Sequence, residues 1–453
     1  MKIKRIISVF MVFVIVIISS GCSLNFFSTE TLLKPPALSG KSGEVQEAFN
    51  KLMNGKTFLL KTPTKGEYRS SFVLYNFDED EEEEALVFYT DPSTDTSVRI
   101  VILDFIKNTW VLVADIKGSG SGIYDVSFPD LNGDTIPEVV VAWSLFDNKL
   151  TKMVTVYQTT RQKDNKLKIE ALANEYFNAK GYFDLNSNGV DDLVLVYLDD
   201  AGEVQNSYFR AFSVNENGGI VKFSEVLLDS SITSVSSINA DTITHNEETY
   251  TRVFIDCLKS DTSIFTEVLS WDLDSLRATR ILAEPAKNTL RNAKLLSQDI
   301  DNDGNLEVPV NKKFFTGEKD PAVVISGVVY NFTMIEWLNM SGDKKSTEKT
   351  IYNPIHSYLF VFPWGNNTTV NFDKIENQTN FCIWNTHTKE IEDILFSIKF
   401  IEKSNTLISE VEEFDETSVL TETENGIFIY EITQFGEDFG ITDEFVQTSF
   451  KIV

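Results

Sequence analysis

Apolar residues along most of the chain occur in short runs that are separated by polar segments rich in Gly, Asn and Asp. Residues 85–89 (ALVFY), 139–143 (VVVAW) and 193–197 (LVLVY) are typical of these runs. Their side chains are largely β-branched or aromatic, and the runs are too short for helices, so they predict β-strands. The chain is therefore expected to be mainly β.

Two segments depart from this strand pattern. Residues 43–54 place Val45, Phe49 and Leu52 at helical spacing, which predicts a short amphipathic helix. Residues 440–450 (GITDEFVQTSF) predict a terminal helix at the other end of the chain. Helices are thus expected at the two ends, with strands between them.

A loop rich in acidic and amide side chains, followed by an apolar strand, recurs four times. The copies begin at residues 76, 130, 184 and 299, so their separations are 54, 54 and 115 residues. The last separation is close to two periods, and residues 239–245 stand where a copy has kept its hairpin and lost its acidic loop. Several short strands at this period predict a β-propeller-like array of about 50–60-residue repeats.

The four loops, which we call loops 1 to 4, share oxygen-bearing side chains at positions one, three, five and nine of each copy. These residues are Asn76, Asp78, Asp80 and Glu84 in loop 1; Asp130, Asn132, Asp134 and Glu138 in loop 2; Asp184, Asn186, Asn188 and Asp192 in loop 3; and Asp299, Asp301, Asp303 and Glu307 in loop 4. Calcium takes about six to eight oxygen ligands, and alternate residues of a tight loop can converge on one ion. The pattern therefore predicts calcium sites.

Position six distinguishes the loops from one another. Gly189 in loop 3 and Gly304 in loop 4 permit the positive φ of a sharp turn, whereas Glu81 in loop 1 and Thr135 in loop 2 depart from the pattern. The alternative interpretation is that Asp, Asn and Gly simply form good turns between strands. Because a turn does not require an oxygen at position nine, the shared register favours calcium, in loops 3 and 4 ahead of loops 1 and 2.

The pattern D-x-D-x-D-G-x-x-[DE] before a strand, repeated in this way, resembles the FG-GAP/VCBS repeats of integrin-type β-propellers. The likeness extends over roughly residues 60–345, and together with the N-terminal motif described next the chain resembles VCBS-repeat lipoproteins of clostridial type. The resemblance implies structural calcium, bound by these loops at the outer rim between strands of a blade. The loops are not EF-hands, because a strand follows position nine where an EF-hand continues to a helix.

The N-terminus has the pattern of an export signal. Three basic residues precede the apolar stretch 6–18, and the small residues 19–21 lead to Cys22. Residues 1–21 are therefore predicted to be a secretory signal peptide. Their ending resembles a bacterial lipobox, which implies a lipid on Cys22 and an extracytoplasmic protein anchored to the outer face of the cell membrane. The alternative is that this N-terminal segment is an uncleaved membrane anchor and that the cysteine is there by chance. Residues 22–42 are expected to be a flexible tether.

Composition narrows the range of partners. The chain has 453 residues and a net charge of −28, which becomes −31 once the three basic residues of the signal peptide are removed. A surface this acidic repels nucleic acid, so a nucleic-acid partner is not expected. Cys257 and Cys382 lie in apolar strand-like runs and are expected to be buried thiols, with a single disulfide between them left open.

No catalytic constellation stands out. The three histidines lack metal-ligand spacing, and a G-x-S-x-G nucleophile motif is absent. Residues 346–453, where the acidic loop does not recur, are expected to form a small C-terminal α+β module after the repeats of residues 43–345. The sequence favours a calcium-binding adhesion or scaffold module, anchored to the membrane by lipid, with a protein or glycan ligand. Two alternatives stay open: a propeller-type polysaccharide lyase or glycosidase, and a structural envelope protein with degenerate calcium loops.

Overall fold

A computed structural model describes residues 40–453 apart from 79, 94, 147–149, 164–165, 200–204, 216–218, 246–247, 261–262, 273–276, 293, 315–320, 341–345, 362–366 and 404–417. The predicted signal peptide, Cys22 and most of the predicted tether lie outside the described residues. Within the described residues, no helix combines the length and the apolar character that crossing a membrane requires.

Helix α1 spans Lys41–Met53 and confirms the predicted N-terminal helix. It begins before residue 43, so the last residues assigned to the tether from sequence are helical. Val45, Phe49 and Met53 are buried on one side of it, as the helical spacing of apolar residues requires. The other described helices are short: α2 (Pro285–Asn288), α3 (Gln434–Phe439) and α4 (Asp443–Ser449), the last within the segment predicted to be a terminal helix.

Strands dominate the described chain, as the hydrophobic pattern predicts, and most of them form antiparallel sheets of four or five strands. The first sheet contains β1 (Leu59–Leu60), β2 (Phe72–Tyr75), β3 (Glu84–Thr90), β4 (Arg99–Ile106) and β5 (Thr109–Lys117). The second contains β6 (Gly122–Ser127), β7 (Val139–Ser144), β8 (Lys152–Arg161) and β9 (Leu167–Phe177). The third contains β10 (Ala179–Phe183), β11 (Asp192–Asp199), β12 (Asn206–Val214) and β13 (Ile220–Leu227). The fourth contains β14 (Ser234–His245), β15 (Glu248–Ser260), β16 (Ser263–Asp272) and β17 (Arg277–Arg280).

These first four sheets are up-and-down meanders. In the second, third and fourth sheets, strands that follow one another along the chain pair in that same order. In the first sheet, β1 and β2 both pair with β3, at its two ends, and together act as one interrupted first strand. The fourth sheet opens with the hairpin that the repeat spacing predicts near residue 240. Four-stranded meanders of this kind are the units from which propellers are built.

Two further sheets contain the rest of the strands, apart from the hairpin of β19 (Ala322–Ile325) and β20 (Val328–Asn331). The fifth sheet has the order β18 (Glu307–Lys312), β21 (Thr333–Asn339), β22 (Ser346–Asn353), β23 (Tyr358–Val361) and β29 (Phe450–Ile452). The sixth has the order β24 (Thr368–Asp373), β25 (Gln378–Asn385), β26 (Glu390–Glu402), β28 (Gly426–Ile432) and β27 (Val419–Glu422). The boundary expected between residues 345 and 346 falls inside the fifth sheet, because β22, β23 and β29 come from beyond it.

The sheets pack face to face through strands that are buried on both sides. In β3, Leu86 and Phe88 point into a cluster shared with the second sheet. The alternate residues Val87 and Tyr89 point the other way, into a cluster with Phe49 of α1. Helix α1 therefore covers the face of the first sheet that is turned away from the second, which is why this sheet is apolar on both faces.

The same alternation continues along the chain. In β7, Val141 and Trp143 join the cluster shared with the first sheet, whereas Val140 and Ala142 join a cluster shared with the third. Further clusters join the third sheet to the fourth, the fourth to the fifth and the fifth to the sixth. The core is thus a series of layers between successive sheets.

Both described cysteines are buried and free. Cys257 lies in β15 of the fourth sheet and Cys382 in β25 of the sixth. The prediction of buried thiols is confirmed, and no disulfide joins them.

Candidate metal-binding loops

Loops 1 to 4 occupy equivalent places in their sheets. Loop 1 joins β2 to β3, loop 2 joins β6 to β7, and loop 3 joins β10 to β11. Loop 4 precedes β18 and is closed at its base by an isolated antiparallel bridge between Gln298 and Glu307. The sequence repeat is therefore also a structural repeat. Loops 1 to 3 lead into β3, β7 and β11, and loop 4 leads in the same way into β18.

The carboxylate at position nine anchors every loop. It accepts a hydrogen bond from the backbone N–H at position two: Phe77 to Glu84 at 2.9 Å, Leu131 to Glu138 at 2.8 Å, Leu185 to Asp192 at 3.2 Å and Ile300 to Glu307 at 3.2 Å. All eight of these residues are buried. Because the apolar side chain at position two packs into the core, this bond folds the loop back onto its own sheet.

The turn inside each loop is built by the side chains at positions three and five. Each accepts a hydrogen bond from the backbone N–H two residues further on, which is the geometry of an Asx turn. The donors to position three are Asp80, Asp134, Asn188 and Asp303, and the donors to position five are Glu82, Ile136, Val190 and Asn305. These bonds curl the alternate oxygens toward one side of the loop.

Loops 2, 3 and 4 also share their backbone conformation at position six. Gly189 and Gly304 have φ angles of 82° and 89°, and Thr135 has a φ of 71° in spite of its branched side chain. In each of these loops the N–H of position six donates to the carboxylate of position one, at 2.8 to 2.9 Å. The Thr in loop 2, a departure from the sequence pattern, therefore leaves the loop conformation intact.

Loop 4 concentrates four carboxylates. Oxygens of Asp299, Asp301 and Asp303 lie within 4.8 Å of one another. Glu307 beneath them is fully buried, and its Oε1 has no hydrogen-bond partner among the described residues. Burial, together with the charges of the three aspartates, raises the pKa of Glu307 to about 7. A divalent cation bound here would neutralise these charges and satisfy the unpaired oxygen, so the donor set fits calcium.

A lysine lies beside loop 4 without entering this cluster. The ammonium of Lys451, in β29, donates a hydrogen bond to the backbone carbonyl of Ile300 at position two. Because Lys451 belongs to the last strand of the fifth sheet, the C-terminal end of the chain is tied to the base of this loop. A cation in loop 4 would therefore stabilise a loop that also contacts the last strand of the fifth sheet.

Loops 2 and 3 carry fewer charges, because each has an amide at position three. The amide of Asn132 donates to Glu138 at 2.7 Å, and the amide of Asn186 lies 3.5 Å from the carboxylate of Asp192. Burial raises the pKa of Glu138 to about 7 and that of Asp192 to about 7, with nearby aspartates adding to it. These amides partly satisfy the buried carboxylates, so loops 2 and 3 leave less negative charge for a cation to neutralise than loop 4 does.

At loop 1, an arginine from the second sheet lies among the aspartate oxygens that would otherwise be available to a cation. The guanidinium of Arg161, at the end of β8 in the second sheet, contacts Asp78, lies 3.0 Å from Asp80 and lies 3.1 Å from Asp104. Its side chain is 8% exposed. The oxygens of these three aspartates lie within 4.8 Å of one another, as in loop 4, but here a positive side chain already lies among them. We therefore leave Asn76, Asp78, Asp80 and Glu84 out of the calcium assignment.

Sequence reasoning missed both Arg161 and Asp104. Arg161 is 83 residues from Asp78 and belongs to another sheet, and Asp104 lies within β4 at a position the loop pattern does not include. The one available signal was the departure of loop 1 from the pattern at position six. Glu81 is absent from the described residues with positive φ, and the amide of Asn76 donates to the carbonyl of Asp80 at 2.6 Å.

The fourth sheet shows what replaces an acidic loop when it is lost. Asp241 pairs with the buried Arg252 and also accepts a hydrogen bond from the N–H of Leu306 in loop 4 at 2.7 Å. Arg252 in turn donates to Asn339 of β21 at 3.1 Å. The aspartate of the degenerate repeat therefore holds the fourth sheet against loop 4 and the fifth sheet.

Comparison with known proteins yields no family for the chain. No family model and no curated protein matches the sequence. Among solved structures, it is similar to a Lactobacillus plantarum protein at 9% identity, covering 74% of this chain and 94% of the other, with a TM-score of 0.24. It is also similar to Sqt1 of Chaetomium thermophilum at 8% identity, covering 73% and 92%, with a TM-score of 0.25. Scores this low carry no argument about fold or function.

Proposed function

We propose that this protein is a lipid-anchored, extracytoplasmic module built from propeller-like repeats, which binds structural calcium in its loops and offers its surface to a ligand or partner. The observation that carries the calcium proposal is loop 4. There, three aspartates lie close to a buried glutamate whose Oε1 has no hydrogen-bond partner among the described residues, and no described cation pairs with them as Arg161 does at loop 1. Calcium supplies the charge that these four carboxylates lack.

The loops are ranked by the charge they leave uncompensated. Loop 4 has four carboxylates at the ligand positions, loop 2 has three, in Asp130, Asp134 and Glu138, and loop 3 has two, in Asp184 and Asp192. Calcium affinity rises with ligand charge, although Thr135 costs loop 2 some backbone strain at position six. The order proposed is therefore loop 4 first, with loops 2 and 3 weaker.

Calcium in these loops would act on stability. Loops 2 and 3 connect strands and loop 4 leads into one, and the ligands of each loop come from a nine-residue segment that must be curled to bind. An ion that binds only the curled loop stabilises the folded state, by about 2.7 kcal/mol when calcium is at a hundred times its Kd. A scaffold in the cell envelope would gain a rigid surface in a calcium-containing medium.

The lipid anchor is proposed on the N-terminal sequence alone, from the signal-like residues 1–21 and Cys22. A binding or scaffold role is preferred to catalysis because the clustered acids of loop 4 are suited to holding a cation. The stacked meanders support a propeller-like arrangement of the sheets.

Thermal unfolding with and without calcium tests the proposal. The chain from residue 23 onward is expected to melt several degrees higher in millimolar calcium than in chelator. The double variant Asp301→Asn/Asp303→Asn keeps the Oδ1 acceptors that form the turn but removes two charges, so it should lose much of that rise.

The control is Asp373→Asn, which changes a half-buried aspartate outside the four loops whose Oδ1 accepts from the N–H groups of Ile375 and Glu376 in a β-turn. It should respond to calcium as the unmodified chain does. Equal melting temperatures in calcium and chelator for the unmodified chain would refute the calcium proposal.

A further inference from the structure

A cavity of about 310 Å³ lies where the first strands of three successive sheets come together. Its lining is Gly66, Glu67, Tyr68, Tyr75, Asp125, Val126, Ser127, Phe128 and Lys180. Tyr75 ends β2, Asp125 and Ser127 belong to β6, and Lys180 belongs to β10. The cavity is separate from the aspartate clusters at loops 1 and 4, and none of its lining residues is a proposed calcium ligand.

One wall of the cavity is fixed by a strap from the first sheet. Between β1 and β2 the chain crosses to the second sheet, where the N–H of Lys65 donates to the carbonyl of Tyr124 at 2.7 Å and Thr64 donates to the carbonyl of Ile123 at 3.2 Å. Gly66 follows with a φ of 79°, and a Cβ there would lie 3.1 Å from the Cβ of Asp125. This connecting segment, the strap, is thus held close to Asp125 of the second sheet.

The floor of the cavity is a buried network of polar groups. The ammonium of Lys180 lies 2.9 Å from Asp125 and 3.1 Å from the hydroxyl of Tyr182, and that hydroxyl lies 2.7 Å from the hydroxyl of Ser127. Asp125 is 8% exposed. The N–H groups of Lys180 are directed to partners inside this network. A carboxylate has about four acceptor directions, so Asp125 can still accept a hydrogen bond from a ligand hydroxyl.

The side wall is aromatic. The rings of Tyr75 and Phe128 are stacked with centroids 4.1 Å apart, and the ring of Tyr68 stands perpendicular to Phe128 at 5.1 Å. All three rings are partly exposed and line the cavity. Their mutual contacts fix them in place, so they form a preorganised apolar surface beside the polar floor.

We propose that this cavity binds one unit of an uncharged sugar. A sugar ring combines apolar C–H faces with hydroxyl groups, which matches an aromatic wall beside a carboxylate and a hydroxyl. The charges of Asp125 and Lys180 cancel, and the negative charge of Glu67 at the rim is offset by Arg69, whose guanidinium donates to the carbonyl of Gly66 at 3.1 Å. The cavity therefore offers no net positive charge to bind an acidic sugar. The volume is at the lower end of the range of about 300–1,000 Å³ found for small-ligand pockets.

This inference rests on the proposed function only in treating the protein as a binding module, and it names the class of ligand. It needs no metal. Calcium-dependent melting, measured on the same samples, therefore separates a failure of the sugar site from a failure of the calcium proposal.

Saturation-transfer NMR with methyl β-glucoside, methyl N-acetyl-β-glucosaminide and glucuronic acid at millimolar concentration tests the inference. The neutral glycosides should receive saturation from the full chain, and glucuronic acid should receive much less. Tyr68→Ala should weaken binding of the neutral glycosides about fivefold, because an aromatic contact is worth about 1 kcal/mol.

Tyr176→Ala is the matched control, because Tyr176 is 47% exposed on β9 and is not part of the cavity; it should bind as the unmodified chain does. Ser127→Ala provides a second test at the floor should Tyr68→Ala fail to fold. No saturation of either neutral glycoside, equal binding by Tyr68→Ala or Ser127→Ala and the unmodified chain, or stronger binding of glucuronic acid would overturn the proposal.

Discussion

Arg161 and the clustered aspartates show, residue by residue, how the same loop sequence serves different chemistry. Oxygens of three aspartates lie within 4.8 Å of one another in loop 4, and also at loop 1, where Asp104 of β4 joins Asp78 and Asp80. In loop 1 the guanidinium of Arg161 lies among them, so the repulsion between the carboxylates is relieved within the protein. In loop 4 no described lysine or arginine forms an ion pair with the aspartates, so their mutual repulsion is not relieved in this way. In both loops one buried oxygen of the glutamate at position nine, Glu84 or Glu307, has no hydrogen-bond partner among the described residues. The presence of Arg161 in one cluster and not in the other is therefore the difference on which the calcium proposal for loop 4 rests.

Replacing Arg161 by Met is expected to destabilise the metal-free protein by about 3–5 kcal/mol, because it leaves the buried Asp78 and Asp104 without their counter-charge. The same change frees the aspartate cluster, so calcium should restore part of the loss. Urea unfolding in chelator and in calcium measures both effects. The matched control is Arg99→Met, which breaks a half-exposed pair with Asp115 and should cost about 1 kcal/mol or less. An Arg161 variant no less stable than the Arg99 variant would contradict this account.

Glu84 gives loop 1 a pH dependence with a definite sign. Burial, reinforced by the charges of neighbouring aspartates, raises its pKa from 4.5 to about 8. The folded protein thus keeps a proton that the unfolded chain releases, so this contribution to stability is complete below pH 4.5 and is lost as pH rises through about 8. In chelator, the unfolding free energy should fall relative to that of Glu84→Gln between pH 5 and pH 9, by up to about 1.4 kcal/mol per pH unit. Parallel profiles for the two proteins would exclude the raised pKa, and the exposed Glu424→Gln should follow the unmodified chain.

At the scale of elements, the sequence of helix α1 predicts the helix but not the surface that it covers. Its spacing of apolar residues predicts an amphipathic helix, but the surface it covers, the outer face of the first sheet, follows only from the alternation of β3 and β4. Phe49 is fully buried there, with ring centroids 4.9 Å from Phe58 and 5.3 Å from Tyr89. The helix therefore seals one side of the first sheet.

Removing the Phe49 ring tests that role. Phe49→Ala is expected to cost about 3–5 kcal/mol, since a large buried ring is replaced by a cavity. Phe146→Ala is the matched control, because Phe146 is 56% exposed and should cost little. Chemical denaturation of the two variants measures the difference. Equal stabilities would mean that α1 does not contribute to the core of the first sheet.

The sequence predicts the elements well wherever the information is local. Short apolar runs gave strands, and the repeat spacing placed a hairpin without an acidic loop at β14 and β15, because hydrophobic period and turn composition act over a few residues. Contacts between distant residues were not predictable. The pairing of β29 with β23, which carries the fifth sheet past residue 345, joins strands some ninety residues apart along the chain. The contact of Arg161 with loop 1 also joins distant residues, and no local sequence pattern predicts it.

At the scale of the whole molecule, the six sheets are stacked in chain order, and the acidic loops lie at the same connection in their sheets. Part of the net charge of −28 therefore comes from acidic residues at equivalent positions of the repeats, the proposed calcium ligands. The remaining acidic residues stay a solvated surface that disfavours anionic partners. Calcium, in this account, neutralises the charge of the proposed ligands and stabilises the sheet edges.

Equilibrium calcium binding, measured by isothermal titration calorimetry on the chain from residue 23 onward, tests this account most directly. At least one site with micromolar to millimolar affinity is expected, and the tightest site should disappear in Asp301→Asn/Asp303→Asn while Asp373→Asn retains it. Absence of binding at millimolar calcium, or an unchanged titration for the loop 4 variant, would contradict the central claim that loop 4 is a calcium site.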